Sequence, residues 1–182
     1  MTPEFTQLMA HYNQWMNQRL YQAASSLGVE QLHQDQGAFF SSVFGTLQHI
    51  AVADTIWLLR FATHPAGFAS LAPLQNGPKP TALNQPLFAH WSELQAYRLR
   101  LDAMMVAWSQ EIQAAHITQP LHYVNMAGMK QCKALGPLLT HFFNHQTHHR
   151  GQASTLLHQF GVDVGVTDLL ALIPDAVDAA NG

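Results

Sequence analysis

The stretch HFFNHQTHHRGQ, from His141 to Gln152, places four histidines within twelve residues. Imidazole at that density either binds a metal ion through its ring nitrogens or solvates a surface. Spacing separates the four. At about 100° per residue on a helix, Leu138, Phe142, Ala153, Leu156 and Phe160 share one arc, with His149 inside it and His145 at its edge, about 40° apart. Two imidazoles at i and i+4 on the core-facing side can converge their lone pairs on one point, as tetrahedral and octahedral metals require. His141 and His148 fall toward the polar side, as boundary or solvent residues. A histidine on an apolar face is also satisfied by a core hydrogen bond, so the pair alone leaves both readings open. Asn144 and Gln152 are polar groups close enough in sequence to orient the two rings.

A third ligand would decide the matter. Three protein ligands with an open position form the catalytic pattern, whereas closed structural sites use four and often include Cys. His11, His49, His90 and His122 are the candidates. His49, within GTLQHIAVADTIWLLRF, sits in the segment where an unpartnered polar group costs most. The densest apolar arc of that segment is not centred on it, so periodicity alone leaves the third ligand open. A three-histidine site could lower the pKa of a thiol or water and hold the nucleophile against an electrophile. Asp54 and Arg150 are nearby charged groups, for which an interhelix ion pair or a cap is the first expectation.

These residues need long elements to hold them. Thr2-Pro3-Glu4 is a helix start, and Phe5, Leu8, Met9, Tyr12, Trp15, Met16, Leu20 and Ala23 recur at three- and four-residue spacing, predicting a helix over about 3–27. Ser41 and Ser42 can cap a second helix, 42–63, apolar almost all round and so central or facing a partner subunit. The Pro- and Gly-dense stretch from His64 to Pro86 reads as an irregular loop with a functional or interface role. A third helix spans 87–115, carrying Phe88, Trp91, Leu94, Leu101, Met104, Met105 and Trp108. ITQPLHYVNMAGMKQCKALGP admits a small hairpin. A fourth helix spans 138–160, and the tail holds at most a short helical turn near Asp168. Four amphipathic helices with one long middle connection predict an all-α single domain, a four-helix bundle with its cofactor site on facing helices.

Composition narrows the function classes. The 182 residues are 48% hydrophobic and only 10% charged, with a formal net charge of -3. With no Lys/Arg stripe to neutralise phosphates, nucleic acid is excluded as a partner. The single Cys132 forms no internal disulfide, and the N-terminus shows no basic leader with an apolar core, so a cytoplasmic protein is expected. No apolar window is long enough for a membrane span. A low-charge, apolar chain also leads us to expect a homodimer, with the second helix at its interface.

LQHIAVAD in the second helix and HFFNHQTHHRGQ in the fourth resemble the DinB/YfiT-like family of small bacterial four-helix proteins, which is distinct from the DNA polymerase sharing the DinB name. HYNQWMNQRL, YVNMAG and GVTDLLALIP extend the resemblance over most of the chain. The resemblance implies an up-down-down-up bundle, commonly dimeric, whose metal triad maps onto His49, His145 and His149, and a divalent ion such as zinc or nickel. Some members of that family are thiol transferases or isomerases using a low-molecular-weight thiol. The expected function is therefore a metal-dependent hydrolase or thiol transferase acting on a small thiol or electrophile. The alternative is a non-catalytic metal-binding dimeric stress-response protein.

Overall fold

A computed structural model of the chain describes residues 1–175. It is mostly helical: α1 (Pro3–Ala24), α2 (Val29–His33), α3 (Val43–Phe61), α4 (Trp91–Glu111), α5 (Ala114–Ile117) and α6 (Leu135–Gln159), with β1 (Pro120–Val124) and β2 (Lys130–Ala134) before α6. Helix starts follow the expected chemistry. Thr2 Oγ1 accepts from the Phe5 N–H, and Ser42 Oγ accepts from the Gly45 N–H. Pro137 falls inside the first turn of α6 rather than before it, where its missing N–H removes no helical bond.

α1, α3 and α4 are shorter than expected, and for α1 and α4 the reason is visible. α1 ends at Ala24, where the Ser25 hydroxyl turns back onto the Tyr21 carbonyl. α4 starts at Trp91 rather than near Leu87, because the N–H groups of Leu87 and Phe88 donate instead to Gln48 Oε1 on α3. It ends at Glu111, whose carboxylate accepts from the N–H groups of Ala69 and Ser70. The Pro- and Gly-rich stretch is not wholly irregular, since Ala69–Asn76 winds into a 3₁₀ helix. The small hairpin is present and antiparallel, with Tyr123 opposite Gln131, and Asn125 Oδ1 closing its turn by accepting from Ala127 and Met129. A short helical turn, Leu169–Leu172, follows Asp168 as expected.

The long helices pack in the pairs α1/α4, α4/α3, α3/α6 and α6/α1. Side-chain pairings give their directions. Asn17 meets Asp102 while Ser25 meets Trp91, so α1 and α4 run antiparallel. His49 meets His149 while Phe61 meets Phe142, so α3 and α6 also run antiparallel. Thr55 meets Tyr97 while Phe61 meets Trp108, so α3 and α4 run parallel.

The interior is not purely apolar. Asn13 and Asn17 of α1, Asp54 of α3, Arg98 and Asp102 of α4, and Gln146 and Arg150 of α6 are all buried. Arg98 bridges Asp54 at 2.5 Å and Asp102 at 2.9 Å. The Asn17 amide donates to Asp102 at 2.8 Å, and Arg150 donates to Asn13. Asp54 thus forms the interhelix ion pair expected of it, whereas among the described residues Arg150 makes neither ion pair nor cap: it donates to Asn13 and Thr147 and lies over the Tyr12 ring. Phe5 and Trp15, expected in the core stripe of α1, are displaced: Phe5 is 44% exposed and Trp15 half-buried, while Asn13 and Asn17 occupy the inward face. The stripe is rotated because buried carboxylate and guanidinium groups demand amide partners there. Burial pushes Asp102 up to about 6 despite the guanidinium of Arg98, and raises Asp54 in the same way.

Candidate metal centre

His49 projects from α3 and is buried, 5% exposed; His145 and His149 project from α6, one turn apart, and are half-buried. One nitrogen from each ring can be chosen so that all three lie within 4.8 Å of one another. Ring centroids are separated by 4.5 Å (His49–His149), 4.4 Å (His145–His149) and 5.3 Å (His49–His145). Antiparallel packing of α3 on α6 brings a histidine from the first third of the chain to a pair from the last.

Hydrogen bonds define which nitrogens are free. His49 Nδ1 lies 3.0 Å from the Leu83 carbonyl oxygen, an acceptor only, so Nδ1 carries the proton and Nε2 holds the lone pair. His149 Nδ1 lies 2.7 Å from Gln152 Oε1, and the Gln152 amide nitrogen lies 3.2 Å from His148 Nε2. With its nitrogen toward His148, Gln152 accepts from His149 and leaves that ring's Nε2 free as well. Leu83 belongs to the irregular connection between α3 and α4, so that long loop does take part in the site.

The imidazoles are held neutral. Burial lowers the pKa of all three, and for His145 burial together with the neighbouring rings of His149 and His49 takes it to about 3. Neutral rings with lone pairs free are what coordination requires, so the three histidines could hold a metal ion. Three protein donors leave further coordination positions for other groups.

Other expected residues fall elsewhere. His141 is exposed, with its ring 5.1 Å from Trp57 and 6.1 Å from His145. His148 is exposed, with its ring edge-on to that of His149 at 4.7 Å between centroids and its Nε2 against the Gln152 amide. Asn144 is exposed and shows no bond to the rings. Asp54 points to Arg98 and Gln146 rather than to the histidines. His11 and His90 lie on the surface, and His122 faces Cys132 across the hairpin. The three-histidine group is the one cluster of three or more such side chains among the described residues.

Phe40 is the residue sequence reasoning missed. Its ring stacks on His49 with centroids 3.8 Å apart and meets His149 edge-on at 5.5 Å. The turn that presents it is tight: Ser41 has φ 63°, the left-handed region, and the Ser41 N–H bonds to the Ala38 carbonyl. The Phe40 carbonyl lies directly over Gly45, where a Cβ would collide with it. Beside Phe40 and His49 opens a cleft of about 260 Å³, lined also by Gln48, Val52 and Leu83 and by no charged side chain.

Among the described residues no helix is long and apolar enough to cross a membrane. A family model described as the DinB family matches residues 1–176. The protein named DinB from Bacillus subtilis (strain 168) is 27% identical over 165 residues, covering 91% of this chain and 91% of its own. No solved structure matches the chain.

Proposed function

From the premise that this chain belongs to the DinB family, we propose that His49, His145 and His149 together hold one divalent cation, zinc or nickel. We propose further that the protein is a metal-dependent hydrolase or thiol transferase. The helix pairings support reading its fold as the up-down-down-up bundle: α1 and α6 run one way, α3 and α4 the other.

One observation carries the reading. Three imidazoles from two helices share one locus, and the nitrogens turned away from it on His49 and His149 are already committed to Leu83 and Gln152. A divalent ion held there supplies Lewis acidity, which acidifies a thiol or a water and so yields a nucleophile at neutral pH. The protein's own contribution is placement. Leu83 and Gln152 fix ring orientation, Phe40 shields one face of His49 from water, and the uncharged cleft receives the body of an electrophile.

A second reading, a non-catalytic ion that staples α3 to α6, draws on the same two-helix origin of the ligands. Elemental analysis of purified protein, followed by thiol-transfer and ester-hydrolysis assays on metal-loaded wild type and His145→Ala, separates the two. Turnover that disappears in a folded His145→Ala supports the enzyme. A retained ion that raises the melting temperature with no turnover supports the staple.

A further inference from the structure

Arg60 lies on α3 eleven residues beyond His49, about 16 Å along the helix axis. Its guanidinium lies 4.8 Å from the Trp57 ring centroid and 5.0 Å from that of Tyr123 on β1. The lean over Trp57 points it back toward the histidines. The path is continuous in contacts: Arg60 on Trp57, Trp57 against His141 at 5.1 Å, and His141 beside His145 at 6.1 Å. Two aromatic faces hold the half-buried guanidinium in place, yet among the described residues it makes no ion pair and no side-chain hydrogen bond. Its planar fork of donors is therefore oriented in advance and unspent.

The charge distribution around it is one-sided. Between Asp35 and Glu93 the only acid is Asp54, which is buried on Arg98, and between Glu111 and Asp163 there is none. The elements α3, β1, β2 and α6 thus present no exposed carboxylate, while Arg60, Lys130 and Lys133 supply cations. A fixed guanidinium with no counter-charge, on a face without exposed acids and on the helix that carries His49, is suited to recognising an anion. A single Arg offers one charge and one bidentate fork, which matches a carboxylate.

We propose that Arg60 binds the carboxylate of the molecule that reacts at the histidine cluster, making the substrate a small organic acid. Arg60 is then a specificity residue rather than a catalytic one. The inference rests on the metal-site reading above, and the test separates the two.

Protein loaded with one equivalent of Zn²⁺ is titrated with 6-mercaptohexanoate, with its neutral counterpart 6-mercaptohexanamide, and with hexanoate. The Arg60 Nε–Hε cross-peak in a ¹H–¹⁵N spectrum is followed throughout. We expect the acid thiol to move the cross-peak and to bind about tenfold more tightly than the amide, a gap that R60Q removes by weakening the acid alone. Equal affinity of acid and amide, or a cross-peak that stays still while the acid binds, overturns the role of Arg60 and leaves the histidine site standing. Hexanoate binding as tightly as 6-mercaptohexanoate overturns the thiol reading of the histidine site and the link between the two. No binding by any of the three overturns both.

Discussion

The Gln146 side-chain amide donates to Asp54 Oδ1 at 2.8 Å, tying α6 to α3 one residue away from His145. The same carboxylate takes Arg98 through its other oxygen. The positions of the histidine-bearing helices are therefore set by a buried charge network beside the cluster as well as by apolar packing.

Arg98→Ala should expose what that network is worth. It leaves Asp54 and Asp102 buried without their shared guanidinium, and breaking such a pair costs about 3–5 kcal/mol. Urea unfolding of the two proteins measures the difference. A loss below about 1 kcal/mol would mean that water or a neighbouring group had replaced the guanidinium.

Metal content should follow the geometry residue by residue. His49→Ala and His145→Ala should purify without a stoichiometric ion, whereas His141→Ala and His148→Ala should keep it. Gln152→Ala should leave the ligands in place yet weaken the ion's affinity by about 10- to 100-fold, because His149 loses the acceptor that orients its ring. Competition with a chelator reads each value.

Acid should destabilise the metal-free protein. His49, His64, His141, His145 and His149 all have folded pKa values below the ordinary histidine value. Each contributes stability that is complete above about pH 6.5 and is lost as pH falls, for His145 down to about 3. Asp102 works in the opposite sense. Raised to about 6, it contributes stability below about pH 4 that is lost as pH rises through 6. Five lowered imidazoles outweigh the raised carboxylates Asp54 and Asp102, so the melting temperature should fall between pH 7.5 and 5 in the presence of a chelator. His145→Gln should flatten that slope, and a melting temperature that rose on acidification would refute the balance.

Phe40→Ala should act on access more than on the fold. Loss of the stacked contact with His49 should cost about 0.5–1.5 kcal/mol. Stripping of the ion by a chelator should meanwhile quicken several-fold in stopped-flow measurements. An unchanged rate would show that Phe40 does not guard the site.

Much of this was legible in the chain itself. Thr2 and Ser42 announce their helices by capping chemistry, and the i, i+4 pair His145 and His149 announces a shared face of α6. Burial cost singles out His49 as a candidate, but only family resemblance joins it to His145 and His149, because helical periodicity cannot report a partner on another helix. The same limit hid Phe40 and Leu83, which reach the site through loop paths. It also hid Asn13 and Asn17, which read as polar interruptions of a stripe until Asp102, 89 and 85 residues away, explains them. The spacing of Arg98 and Asp102 at i, i+4 was the one local sign of a charged interior.

That interior carries two buried acids and two buried bases, Asp54, Asp102, Arg98 and Arg150, drawn from three helices, with the amides of α1 completing the set. No subset of the long helices closes the network. If α1 were undocked, Arg150 and Asp102 would lose their amides; if α4 were undocked, Asp54 would be left alone with Gln146. The chain therefore has no comfortable halfway house, and its long helices should commit to one another together, in a single concerted transition that the histidine cluster inherits fully formed.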